Sequence, residues 1–390
     1  MLKINKYNLL VKLIFLFSIT SLGTRLLIIT SPNRVIGFFI FIILILITLP
    51  KLTKKGLFLF ILIFANLIFS IIVSENKRKN FDDSIYWLIT LLFLYNLSFK
   101  SFLEEIYIQI YKSISLLKFV VYIGNILLII GFFDSRCYVS GWGSKYYIGY
   151  SVFPHSLASG VCLLIVLTMF LLKGENKNKL GVFLFIPGFI SILESGARTF
   201  LLPLFIFVYI YFIYFIKSNI TKLLLFPILI ISVIYMFLNS EMMNKFSFTI
   251  GNQYIANNFI GQFTNGRVNF WKIDINSFQN FGLIEKMFGK GFDFVYSTNK
   301  RLYGSEIWAH NDLIDCLLSV GIVGLYIYIY IIGIMLYNIS KFIKSKINIL
   351  LLSFYFIFPL LINGLFLYQH YLYSFVLLCV FLFMIENKKK

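Results

Sequence analysis

The chain has 390 residues, of which 59% are hydrophobic, 19% aromatic and only 13% charged. Apolar runs of about 18 residues or more recur along it, the length a helix needs to cross a hydrocarbon core, and this excludes an ordinary soluble domain. The formal charge of +19 does not indicate a nucleic-acid binder, because the lysines sit in short clusters between apolar runs, as the positive-inside bias leaves them.

Taken in order, the apolar runs predict spans at 9–30, 35–50, 56–74, 84–99, 114–133, 151–172, 180–195, 199–216, 220–238, 311–337, 348–366 and 369–386. The expectation is therefore an all-α polytopic integral membrane protein with twelve transmembrane helices and both termini cytoplasmic. Lysines precede the first run as they do in a signal peptide, but no small-residue cleavage site follows, so the run reads as the first span. With that topology the inner loops and tails hold eighteen basic residues, including Lys51/Lys54/Lys55, Lys173/Lys177/Lys179, Lys341/Lys344/Lys346 and Lys388–Lys390, against seven in the short outer loops. Losing or adding one span would spoil that alternation downstream. Three units follow: residues 1–238 with nine spans, a large outer loop at 239–309, and residues 310–390 with three spans and a basic tail.

Cys162, Cys316 and Cys379 fall inside apolar runs and only Cys137 in a loop, a pattern of packing residues rather than a disulfide framework. The segment from Asp134 to Tyr150 is rich in Gly, Tyr and Trp, and its aromatics suit either an interfacial belt or stacking on sugar rings. In the long loop, Asn265-Gly266 signals a turn, and Val268, Trp271, Ile275 and Phe278 recur at helical spacing, so 267–281 is expected to be an amphipathic helix.

Four polar groups fall on the predicted outer side. Arg198, in Ser195-Gly196-Ala197-Arg198-Thr199, either pairs with the adjacent Glu194 or offers its planar fork to a phosphate. Arg267 is an ordinary solvated residue unless Phe270 and Trp271 turn its helix inward, in which case two arginines could neutralise a diphosphate. As a bond to the diphosphate breaks, its charge grows, so such cations would act preferentially on the transition state. His310 opens the tenth span, where an imidazole is suited to take a proton from a sugar hydroxyl. Asn311 and Asp312 beside it have the character of helix caps. His155 and His370 are weaker candidates for holding acceptor or carrier. Asp82-Asp83 reads as a first-turn acidic pair rather than a metal site, and no Walker loop, zinc spacing or Ser-His-Asp arrangement occurs. No metal or cofactor is expected.

The order of these motifs, Ser195-Gly196-Ala197-Arg198-Thr199, Gly266-Arg267 with Trp271, Phe288-Gly289-Lys290-Gly291, then His310-Asn311-Asp312 with Gly321-Ile322-Val323-Gly324, resembles the O-antigen ligase and Wzy-type O-antigen polymerase superfamily over roughly residues 150 to 340. The resemblance implies a glycosyltransferase C-like fold and metal-independent inverting transfer from an undecaprenyl-diphosphate-linked oligosaccharide. Arg198 and Arg267 would contact the diphosphate, and His310 would act on or orient the acceptor hydroxyl. It implies a bacterial plasma-membrane enzyme, and because the outer face carries no unusually basic platform for a phosphorylated lipid core, the expectation is a polymerase of repeat units for O-antigen, capsule or a related glycan, with a flippase and a chain-length regulator as partners. The alternatives are a ligase that uses lipid A core as acceptor and, in another class, a flippase for lipid-linked sugars.

Overall fold

The computed structural model describes residues 5–27, 32–141, 143–175, 178–250, 252, 259–304 and 306–387. Lys177, Lys388–Lys390 and Trp142 of the expectations above lie outside them. The described residues are mostly helical, with one hairpin among them. Its helices are α1 (Lys6–Leu22), α2 (Pro32–Thr48), α3 (Lys54–Val73), α4 (Lys77–Leu97), α5 (Lys100–Lys112), α6 (Ile114–Phe132), α7 (Pro154–Glu175), α8 (Asn178–Glu194), α9 (Leu201–Phe215), α10 (Asn219–Leu238), α11 (Glu241–Thr249), α12 (Phe259–Phe263), α13 (Arg267–Gln279), α14 (Leu283–Phe288), α15 (Asp293–Tyr303), α16 (Asp312–Phe342), α17 (Lys346–Ile362) and α18 (Gln369–Asn387). Several start where a polar side chain caps free amides: Asn5 accepts from Tyr7 and Asn8, Thr53 from Gly56, Ser218 from Thr221 and Ser345 from Asn348.

Each of the twelve apolar runs carries a helix. Among the described residues, eight helices are long and apolar enough to cross a membrane by length and composition, or nine if α4 and α5, bent by 102°, form one broken span. The apolar part of α8 and the whole of α17 are shorter. α7 and α18 form the centre, buried on nearly all faces, whereas α10 lies at the periphery and exposes most of its apolar surface. A helix that is apolar all round suits either position in a membrane protein, so hydropathy does not distinguish them.

Residues 100–112, read above as a connecting loop, form α5. Phe102, Leu103, Ile106 and Ile110 are its buried stripe, at helical spacing, and it packs on α1 and α18. The 239–309 segment is likewise built of short helices, α11 to α15, rather than open loop. The predicted amphipathic helix exists as α13, but its stripe differs from the one expected. Trp271 and Phe278 do pack against Phe281, Val295, Ala309 and Leu318, yet Ile275 is 41% exposed while Asp274 is fully buried. In the 134–150 segment a hairpin pairs β1 (Tyr138–Gly141) with β2 (Ser144–Tyr147). Tyr147 stacks on Phe132 with ring centroids 4.4 Å apart and donates to the Leu128 carbonyl at 2.7 Å, so this aromatic is core.

α16 is broken at Gly321, whose φ of 68° and ψ of −169° interrupt the helix. The carbonyls freed there all find donors. Lys290 N–H donates to Leu318 O and Gly291 N–H to Ser319 O, each at 2.9 Å, and the Asn66 amide donates to Val320 O at 2.8 Å. The Phe288-Gly289-Lys290-Gly291 stretch thus docks into the break. The two backbones approach so closely that a Cβ on Gly289 would lie 2.3 Å from the Ser319 carbonyl, and one on Gly321 2.4 Å from Met287 O. The segment is anchored again where Asn80 Oδ1 accepts from Phe292 N–H and Asp293 accepts from Asn76 N–H, both at 2.7 Å. Segment 239–309 therefore sits over one end of the bundle, the end where α3 and α8 finish and α4 and α9 begin.

Candidate functional site: a cationic cavity under the 239–309 segment

Arg198 follows a turn that only glycine permits. Gly196 has φ +63°, and a Cβ there would lie 2.7 Å from the Tyr146 ring of the hairpin. The Arg198 guanidinium does not pair with Glu194. It donates to Thr249 Oγ1 at 2.8 Å and lies 5.6 Å from the Phe246 ring centroid, both on α11.

Arg267 enters through a turn with Asn265 and Gly266 at φ 59° and 80°, and it is the first residue of α13. Its guanidinium donates to Ile362 O and, at 3.2 Å, to Asn363 Oδ1. It therefore satisfies a carbonyl at the C-terminus of α17, where a cation also meets the negative end of the helix dipole.

These two arginines, His155 from the first turn of α7, and Lys245 from α11 line one cavity of about 360 Å³. Its remaining walls are polar and apolar side chains such as Thr199, Asn265, Phe205 and Phe358; no Asp or Glu is among the described lining residues. Lys245 is only 7% exposed. Burial, and then the neighbouring Arg198 and Arg267, pull its pKa from 10.5 down to about 8. Burial likewise lowers Arg267 to about 10, with Arg198 adding to the effect and Tyr368 opposing it. Buried cations that repel one another raise the energy of the folded chain, and an anion in their midst removes that cost.

His310 sits beside this cavity rather than in its wall. Its backbone is left-handed, with φ 58°, an uncommon conformation for a non-glycine residue. The strap that holds it comes from both sides. Trp271 donates to Ala309 O at 2.7 Å, the Ala309 N–H donates to Asp315 at 3.0 Å, and Trp308 donates to Asn363 O at 3.2 Å. The imidazole packs on Trp308 at 4.5 Å between centroids, and its Nδ1 is buried without a hydrogen-bond partner. Burial, then Arg267, holds its pKa well below 6.5, so the ring is neutral at physiological pH. His155 is within electrostatic reach of Lys245, Arg267, His310 and Arg198.

The structure thus brings Arg198, Arg267 and His155 into one cavity wall with His310 next to it, and leaves the other candidates outside. Asn311 is the cap of α16, accepting from Leu313 and Ile314 N–H and donating to Leu361 O at 3.0 Å. Asp312 accepts from Tyr328 and from Leu365 N–H, each at 2.7 Å. Trp271 acts through the strap. Glu194 does not line the cavity, and His370 packs deep against Phe17, with Nδ1 3.5 Å from Ser159 Oγ. Asp82 pairs with Arg34 at 3.0 Å.

Lys245 and its helix were missed at the level of sequence. A signal was present: Met242, Lys245 and Thr249 recur at helical spacing and all three are buried, and a lysine on an apolar helix face is rare unless it has work there. No protein-family model, curated protein or solved structure matches this chain.

Proposed function

We propose that this protein is a membrane glycosyltransferase that polymerises oligosaccharide repeat units carried on a lipid diphosphate, the carrier being of the undecaprenyl type. The observation that carries this reading is the cavity itself: three cationic side chains, from α11, α13 and the α8–α9 turn, around a space that no described carboxylate lines. That arrangement fits a multiply charged anion. Its position at a bundle end beside apolar helices fits one that arrives on a lipid.

In the proposed reaction the hydroxyl oxygen of the acceptor sugar attacks C1 of the donor sugar. The C1–O bond to the diphosphate breaks, and both bonding electrons leave with the diphosphate, which stays on its carrier. Arg198, Lys245 and Arg267 meet the charge that grows there, in a site whose low dielectric makes each contact stronger than in water. The neutral His310 ring accepts the hydrogen bond of the attacking hydroxyl and passes its proton toward solvent. Attack from the face opposite the leaving group inverts the anomeric centre. The twelve apolar helices would cross the membrane, with the cavity on the outer face and both termini in the cytoplasm, as the clustering of lysines favours. A flippase would deliver the repeat units, and a chain-length regulator would act alongside.

The test combines cells and purified protein. Arg267→Ala and His310→Ala should leave single-repeat glycan on the surface with the protein still inserted. Long glycan chains in both variants would refute the assignment. With purified protein, the lipid-diphosphate oligosaccharide should be consumed and longer lipid-linked products should appear.

A further inference from the structure

The opposite end of the bundle holds a second basic cavity that the proposed reaction does not use. It measures about 320 Å³ and is built by α5, α7, α9, α10 and α18. Lys173 at the end of α7, Lys217 just after α9 and Lys222 in the first turn of α10 supply three ammonium groups, and Tyr107 and Tyr111 of α5 line it as well. No described lining residue is acidic. Glu386, within electrostatic reach of the lining Tyr214, is already engaged, accepting from Lys344 N–H, Ser345 N–H and the Asn348 amide. The Lys222 ammonium also donates to Ile213 O at 3.2 Å, and Ile213, Phe381, Met384 and Ile385 form an apolar part of the wall.

We propose that this cavity binds the phosphate headgroup of an anionic phospholipid, with its acyl chains against the apolar wall. Three features select that ligand over a soluble anion. The lining joins three lysines to apolar side chains and tyrosine rings, which matches an amphiphile rather than an ion surrounded by polar groups. α5 is bent 102° from α4 and packs on α1 and α18, an arrangement that suits a helix lying in a headgroup layer across the end of the bundle. Its tyrosines face the cavity at that level, the place aromatic residues take at a membrane interface. The same helices carry the catalytic candidates at their far ends: α7 runs from His155 to Lys173, and the α9 segment from Arg198 to Lys217. A lipid seated here therefore braces the two helices that position half of the first cavity. This inference does not depend on the glycosyltransferase reading.

The full-length protein in phosphatidylcholine nanodiscs doped with phosphatidylglycerol provides the test, with co-purifying lipid counted by native mass spectrometry. Each lysine near a membrane surface accounts for roughly a five-fold preference for anionic lipid, so replacing all three with Gln should lower phosphatidylglycerol retention by about a hundred-fold. The triple Lys→Arg variant should retain it. Lys222→Gln alone, in protein with an unchanged thermal midpoint, should lower it about five-fold. Unchanged retention in the Gln variants overturns the proposal. So does displacement of the retained lipid by millimolar inorganic phosphate, which would mark a site for a soluble anion.

Discussion

Replacing Lys245 with Met separates what the cavity costs the fold from what it does for a ligand. Methionine keeps the apolar stem of the lysine and removes its ammonium group, which also lies 5.4 Å from the Tyr146 ring centroid. In the folded protein the Lys245 pKa stands at about 8 rather than 10.5. At roughly 1.4 kcal/mol per unit, holding the ammonium in place therefore costs on the order of 3 kcal/mol at neutral pH. The sign follows from the direction of the shift. A lowered lysine pKa penalises the folded state fully below pH 8, and the penalty fades as pH rises toward the unfolded value. Lys245→Met should thus raise the thermal midpoint of unliganded protein in detergent at pH 7, and the gain should shrink toward pH 10. The same variant loses a charged hydrogen-bond donor, worth about 1.5–3 kcal/mol to a bound anion, so diphosphate affinity should fall roughly 10- to 150-fold. Thermal unfolding at pH 7 and pH 10, with and without a prenyl diphosphate, reads both effects. A variant that is less stable at pH 7 yet still stabilised by the diphosphate as wild type is would refute the argument on both counts.

His310 is held neutral by burial and by Arg267, so the acid limb of the pH–rate profile should lie below pH 6.5; an acid limb above 6.5 would show that the ring is solvated. Arg267→Lys keeps the charge but cannot serve Ile362 O and Asn363 together through a planar fork, and kcat/KM should drop by about 10²-fold while the protein still inserts, measured as repeat-unit consumption. Gly289→Ala pushes a Cβ into the Ser319 backbone at a position with φ 79°. It should destabilise the docking of residues 288–291 by several kcal/mol, seen as faster proteolysis of the 239–309 segment, whereas intact protection would mean that the contact is dispensable. Trp271→Phe removes the hydrogen bond to Ala309 O, worth about 1 kcal/mol, and should lower kcat more than it raises KM, because Trp271 touches the strap of His310 and not the cavity.

Much of the architecture was legible because it follows from hydropathy. Each apolar run became a helix, and the Asn265-Gly266 and Gly196 turns fall where glycine and asparagine mark them. The α13 stripe was misread because periodicity scores hydrophobicity, while burial is decided by what packs opposite: Asp274 faces the interior and Ile275 is left outside. α5 was missed because its charged ends resemble a loop, although Phe102, Leu103, Ile106 and Ile110 carry a helical stripe. Asn311, Trp271, His370 and Glu194 were legible as notable residue types, but their roles as cap, strap or core depend on partners up to hundreds of positions away.

The sequence by itself determined that the chain is a bundle of apolar helices with lysines grouped between them, since the transfer energy of a side chain is a local property that sums along each run. It also marked Arg198, Arg267 and His310 as unusual. That Lys245 completes the cluster, that Arg198 turns from Glu194 to Thr249, and that the 288–291 stretch fills the break in α16 were decided only by tertiary structure. Those are contacts between distant segments, and electrostatic and backbone hydrogen-bonding energies depend on which groups meet in space rather than on their order in the chain.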